Sequence, residues 1–157
     1  MNIFKASEVL KIAVQIEKNG LAFYTQIKEQ TKYFPLQQVF DYLAKEEVKH
    51  QRTFESLLGQ VGDYEPAESY PGEYETYLKA IAGENIFAQS DAMKQIARKA
   101  VSDKEAIDMG IGFEKDSIIF YGEIKKFVPA SDEAVIEKVL AEEKEHLLKL
   151  LELRKKA

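Results

Sequence analysis

The sequence predicts an all-α protein, a four-helix bundle made of two helical hairpins, and three observations predict it. Four segments repeat their apolar residues at the helical period, and none shows the strict alternation of a strand. Short links join the first segment to the second and the third to the fourth, which makes each pair an antiparallel hairpin. The second pair also repeats the first, as a duplicated hairpin would.

The elements follow in order. The first helix is expected over Ser7 to Thr31, with Ser7 able to accept a first-turn amide and Pro35 interrupting the period beyond it. The second runs over Leu36 to Leu58 and is followed by Gly59. The third spans Ser102 to Phe127, with Ser102 placed to cap it and Pro129 after it. The fourth spans Asp132 to Lys155, capped by Ser131 or Asp132. Between the hairpins lies a crossover at about 59–101. Its stretch from Gly59 to Gln89 holds Pro66, Pro71 and the tyrosines Tyr64, Tyr70, Tyr74 and Tyr77, which read as lying along the bundle surface or in a subunit contact. Short helices fit around Tyr74 to Ile81 and Asp91 to Lys99. One domain over 1–157 is the expected count.

Composition narrows the chemistry. With 45% apolar and 31% charged residues among 157, the chain should fold as a globular protein. It has no cysteine, so a disulfide framework, a thiolate metal site and a cysteine nucleophile are all excluded, and any metal must be held by nitrogen and oxygen. A net charge of −5 argues against nucleic acid as a partner. No apolar run approaches the roughly 18 residues of a membrane span and no signal peptide opens the chain, so the cytoplasm is the expected location and no membrane partner is expected.

The repeat is local and dense. Residues 17–28 align with residues 114–125 at an offset of 97 and share Glu, Lys, Phe, Tyr, Ile and Lys. Glu46-Glu47-Val48-Lys49-His50 then matches Glu142-Glu143-Lys144-Glu145-His146 at an offset of 96. The inward seam, taken in alternating three- and four-residue steps, reads Leu10, Ala13, Glu17, Gly20, Tyr24, Ile27 on the first helix and Phe40, Leu43, Glu47, His50, Phe54, Leu57 on the second. On the third it reads Ile107, Gly110, Glu114, Ser117, Tyr121, Ile124, and on the fourth Ile136, Val139, Glu143, His146, Leu150, Leu153.

Every helix therefore places ionisable groups midway along an apolar stripe. Burying an isolated carboxylate costs many kcal/mol, against a whole-domain stability of about 5–15 kcal/mol. Four such glutamates must protonate, admit water, pair with cations or bind metal. Two divalent cations balance four carboxylates, and two neutral imidazoles complete the set without adding charge. Glu47 and His50, and Glu143 and His146, stand at i and i+3, so each pair can converge on one ion, with Glu17 and Glu114 facing them.

Glu46 and Glu142 fall one position off the seam and read as solvated or supporting groups. Glutamate fills twenty of 157 positions, so a Glu three residues before a given histidine arises by composition about one time in eight, and here both histidines have one. A polar layer that only fixes helix register is the competing reading. Gly20 and Ser117 could serve either close helix approach or a cavity. Tyr24 and Tyr121 are candidates to hydrogen-bond a metal ligand or carry an oxidising equivalent, against ordinary core aromatics.

At these residues the sequence resembles the ferritin-like diiron carboxylate superfamily and, within it, rubrerythrin-type domains; the likeness spans all four helices. The resemblance implies Glu17, Glu47, His50, Glu114, Glu143 and His146 as catalytic metal ligands to two iron ions, with Glu47 and Glu143 as bridges; manganese or zinc also suits the donors. It implies a redox protein that reduces hydrogen peroxide or dioxygen with electrons from an external donor, since the cysteine-bound rubredoxin module is absent. The additional third-helix glutamate of rubrerythrins is also missing, with Gly110, Ile111, Ser117 and Ile118 at the nearby turns. Alternatives are a ferroxidase or iron-handling protein and a non-catalytic interaction bundle. A homo-oligomer, with a dimer favoured, is the expected assembly.

Overall fold

The structure, a computed structural model, describes residues 5–62, 64 and 90–157. Among these residues there are five α-helices and no strand: α1 (Ala6–Gln30), α2 (Phe34–Val61), α3 (Ser90–Arg98), α4 (Asp103–Ile124) and α5 (Glu133–Lys156). The four long helices are the four predicted ones, with ends shifted by one to three residues. The expected helix around Tyr74 to Ile81 and the tyrosines Tyr70, Tyr74 and Tyr77 lie outside the described residues, while the expected helix over Asp91 to Lys99 is α3.

The helix ends correct three expectations. Ser7 does not cap α1: the helix begins at Ala6, and the Glu8 side chain reaches back to accept the Lys5 N–H at 3.1 Å. Gly59 does not end α2, which continues to Val61 and stops at Gly62, whose φ of +55° is a conformation glycine adopts without a Cβ penalty. Neither Ser131 nor Asp132 caps α5, because the 3₁₀ turn Ala130–Asp132 runs straight into the helix and leaves Asp132 in the right-handed region rather than the extended one a capping side chain needs. Ser102 does cap α4, accepting the Glu105 N–H at 3.1 Å from an extended backbone. Pro35 sits in the first turn of α2, where its missing N–H leaves no bond unmade.

Each pair is an antiparallel hairpin. In the first, the start of α1 donates from Ala6 N–H to the Tyr64 carbonyl at 3.1 Å, and at the other end Lys28 reaches Asp41 at 2.7 Å. In the second, Arg154 meets Asp108 at 2.9 Å and Lys125 pairs with Glu137. The short helix α3 lies on α1, where Met93 and Ala97 join the apolar core and Gln30 donates to the Ala97 carbonyl at 2.8 Å.

The core comes in two apolar clusters. One gathers Val9, Leu10, Ala13, Phe54, Leu57, Tyr121, Ile124, Ile136 and Val139. The other gathers Phe23, Tyr24, Ile27, Phe40, Leu43, Ile107, Leu150 and Leu153, among others. Between them, at mid-helix on all four long helices, lies a layer of buried ionisable groups.

Candidate metal centre

The expected seam places Glu17 on α1, Glu47 and His50 on α2, Glu114 on α4, and Glu143 and His146 on α5. All six are 5% exposed or less. The structure brings them together as two overlapping sets of four, Glu17, Glu47, His50, Glu143 and Glu47, Glu114, Glu143, His146, each with its ligand-type atoms within 4.8 Å of one another. Glu47 and Glu143 belong to both sets. The two imidazoles stack with centroids 5.4 Å apart, and each turns Nδ1 toward the carboxylates: His50 Nδ1 and His146 Nδ1 both lie 3.1 Å from Glu143, on different oxygens.

The two tyrosines cross between the halves. Tyr24 on α1 donates to Glu114 on α4 at 2.5 Å, and Tyr121 on α4 donates to Glu17 on α1. The sequence places each tyrosine two turns from the glutamate of its own helix; the bond it makes is to the repeat-related glutamate on the other. These hydroxyls fix one oxygen of each carboxylate, and the second oxygens, Glu17 Oε2 and Glu114 Oε2, are buried with no hydrogen-bond partner.

Electrostatics show what the layer costs. Burial, together with the charge of Glu143, pushes the Glu17 carboxyl up to about 8. Burial and neighbouring carboxylates hold Glu47 and Glu114 well above the ordinary range. For Glu143 burial pulls the same way, but the neighbouring Glu114 carboxyl and the His146 and His50 imidazoles outweigh it and hold this carboxyl well below its usual value. Burial disfavours charge on His50, yet the carboxylates of Glu143, Glu17 and Glu142 outweigh it and push the imidazole up to about 9. Protons and one internal ion pair thus do in the metal-free layer what two dications would do better. The donor set is oxygen and imidazole nitrogen, and two carboxylate oxygens in it are buried and unsatisfied. These residues fit a pair of divalent metals.

Space adjoins the layer on one side. A cavity of about 40 Å³ is lined by Gly20, Tyr24, Glu47, Glu114 and Ser117, and Met93 and Phe113 also border it. A water's share of liquid volume is about 30 Å³, so the cavity suits a molecule of two or so heavy atoms. Gly20 serves both of its sequence-level readings: it borders this space, and a Cβ there would stand 3.0 Å from Cδ of Glu47. Any larger residue would push the carboxylate shared by both sets.

Sequence reasoning left Glu46 and Glu142 undecided. Each lies against the histidine of the opposite half: Glu142 Oε2 is 2.7 Å from His50 Nε2, and Glu46 Oε2 is 3.7 Å from His146 Nε2. Tyr42, whose ring meets His146 edge-on at 6.0 Å, and Met93 carried no signal, because neither stands on a predicted seam position.

The rubrerythrin family model matches residues 8–154. Among solved structures, the chain is similar to a Thermotoga maritima protein described as a presumptive ferritin-like diiron-carboxylate protein, at 29% identity and a TM-score of 0.75, over 99% of this chain and 97% of that one. Among curated proteins none matches. Among the described residues no helix is long and apolar enough to cross a membrane.

Proposed function

The chain belongs to the rubrerythrin family, and from that premise we propose that it holds two iron ions between its long helices and reduces hydrogen peroxide or dioxygen with electrons from an external donor. The observation that carries this reading is the pair of four-residue sets sharing Glu47 and Glu143; these two carboxylates would be shared between two adjacent metals. Glu17 and His50 would complete one position, and Glu114 and His146 the other. The metal pair, when bound, supplies the two electrons that reduction of peroxide to water requires.

The chain's own residues do the rest. Tyr24 and Tyr121 hold Glu114 and Glu17 by one oxygen each, leaving the other oxygen free to ligate. Gly20 leaves room for the Glu47 carboxylate, which would be held by both metals. The cavity beside Ser117 admits a small oxidant, and Met93 and Phe113 narrow it against larger molecules. The apolar clusters above and below exclude bulk water.

Metal analysis of protein purified without chelator should find two metals per chain, and Glu47→Ala and His146→Ala should each lose metal. Anaerobically reduced, iron-loaded protein should then be oxidised by peroxide at one equivalent per two irons, or by dioxygen. Iron that stays ferrous with both oxidants would end the redox proposal. Uptake well beyond two irons per chain would replace it with iron handling.

A further inference from the structure

The two halves of the centre repeat in sequence but not in how their histidines are held. His50 is fixed from behind: its Nε2 lies 2.7 Å from Glu142 Oε2 on α5, hydrogen-bonding distance, while Nδ1 faces the carboxylates. The repeat-related contact, His146 Nε2 to Glu46 Oε2, is stretched to 3.7 Å, and His146 Nε2 is buried with no hydrogen-bond partner. Glu46 is engaged elsewhere, because Lys49 holds its other oxygen at 2.7 Å. The sequence explains the break. At an offset of 96, Lys49 corresponds to Glu145, an acid that cannot capture Glu142 and leaves it to His50.

A carboxylate that accepts from the outer nitrogen of a ligating histidine fixes the tautomer and orientation of the ring and raises its basicity, and losing such a partner typically costs about 10–100-fold in metal affinity. We infer that the two metal positions are inequivalent: the one completed by His50 fills first and holds more tightly, the one completed by His146 fills second and exchanges, and Lys49 is the positioning residue that sets the difference. This inference rests on the two-metal reading and goes beyond it. The imidazole at position 146 can still ligate through Nδ1, but its ring lacks the brace that His50 has.

The test is a titration of metal-free full-length protein with Co²⁺, followed by visible absorption and by competition with a chromophoric chelator. Wild type should bind in two steps, the first at least about tenfold tighter. Lys49→Ala should tighten the second step toward the first and leave the first unchanged, while Lys49→Arg, which keeps the pair with Glu46, should preserve the gap. Glu142→Gln should weaken the first step by about 10–100-fold and leave the second in place. Lys45→Ala removes a neighbouring positive charge that touches Asp41 instead, and should move neither step relative to the other. Two equal steps in wild type, or a Lys49→Ala effect that raises both steps alike, would overturn the inference while leaving the two-metal reading standing. No Co²⁺ binding at all would remove both.

Discussion

Along α2 the inward residues run Phe40, Leu43, Glu47, His50, Phe54, Leu57, and every one of them is buried. The outer four belong to two apolar clusters, and the middle two to a layer of carboxylates and imidazoles. The same division holds on α5; on α1 and α4 the layer takes Glu17 and Glu114, and the half-buried Gly20 and Ser117 beside them border the cavity. Seam spacing decides only what is buried. What burial contributes depends on the side chain: the ends gain hydrophobic stabilisation, while the middle pays desolvation that nothing in the metal-free chain fully offsets. The clusters hold the bundle together, and the layer between them carries the proposed metal-binding role.

Truncation at the ends should have the largest effect on stability. Phe54 is fully buried and packs against Tyr121 at 4.8 Å between ring centroids. Phe54→Ala should lower unfolding stability by about 3–5 kcal/mol, read from urea melts of metal-free protein. A loss below about 1 kcal/mol would show that the cluster is not what holds the hairpins together.

The next effect is one of pH, and it belongs to the layer alone. Glu17, Glu47 and Glu114 have folded-state pKa values raised above their ordinary 4.5, and His50 is raised above 6.5. A raised pKa stabilises the fold below the unfolded value and loses that contribution as pH rises through the folded one, here from about 5 through 8 and 9. Each proton that the folded chain binds and the unfolded chain does not tilts stability by about 1.4 kcal/mol per pH unit. The melting midpoint of metal-free protein should therefore fall between pH 6 and pH 9. Saturating metal should flatten the slope, because cations displace those protons; loading at pH 7 should release protons that a pH-stat records. A metal-free midpoint that climbs over that range would contradict the raised carboxyls.

Much of this contrast is legible in the amino-acid sequence. The 3.6-residue period places all six layer residues on the seam, and the repeat ties the two halves together, because both signals live within single helices. What the sequence hides depends on contacts between helices. Tyr24 bonds to Glu114 and Tyr121 to Glu17, across the gap between α1 and α4, and no intrahelical spacing encodes a partner on another helix. Glu46 and Glu142 stand one position off the seam yet reach the opposite histidine through side-chain length. Met93 closes the cavity only because α3 docks on α1, and its short apolar face does not say where it will dock. The caps failed at Ser7 and Asp132 because a competing backbone arrangement, a reaching Glu8 and a 3₁₀ turn, reached each end first.

Exchanging layer chemistry for end chemistry gives a smaller effect of opposite sign. Glu47→Met keeps a similar volume and removes a buried carboxyl that burial and Glu17 already force toward neutrality. Metal-free stability should stay level or rise by about 1–2 kcal/mol, while metal content falls below one ion per chain. Should the variant lose stability as Phe54→Ala does, the layer would be structural in its own right.

The smallest predicted change lies outside both regions and separates stability from binding. Ser102 accepts the Glu105 N–H at 3.1 Å, and Glu105 in turn accepts the Val101 N–H at 3.1 Å, so two otherwise free amides at the start of α4 are satisfied by side chains exposed to water. Ser102→Ala removes the first of these bonds at an expected cost of about 1 kcal/mol, and Asp132→Ala, whose side chain makes no capping bond at the start of α5, should cost less. Neither touches the layer, so both variants should bind two metals with wild-type affinity. If Ser102→Ala shifted metal affinity as strongly as stability, the position of Glu114 would depend on how α4 begins, and the separation between a scaffold at the ends and a binding layer in the middle would fail.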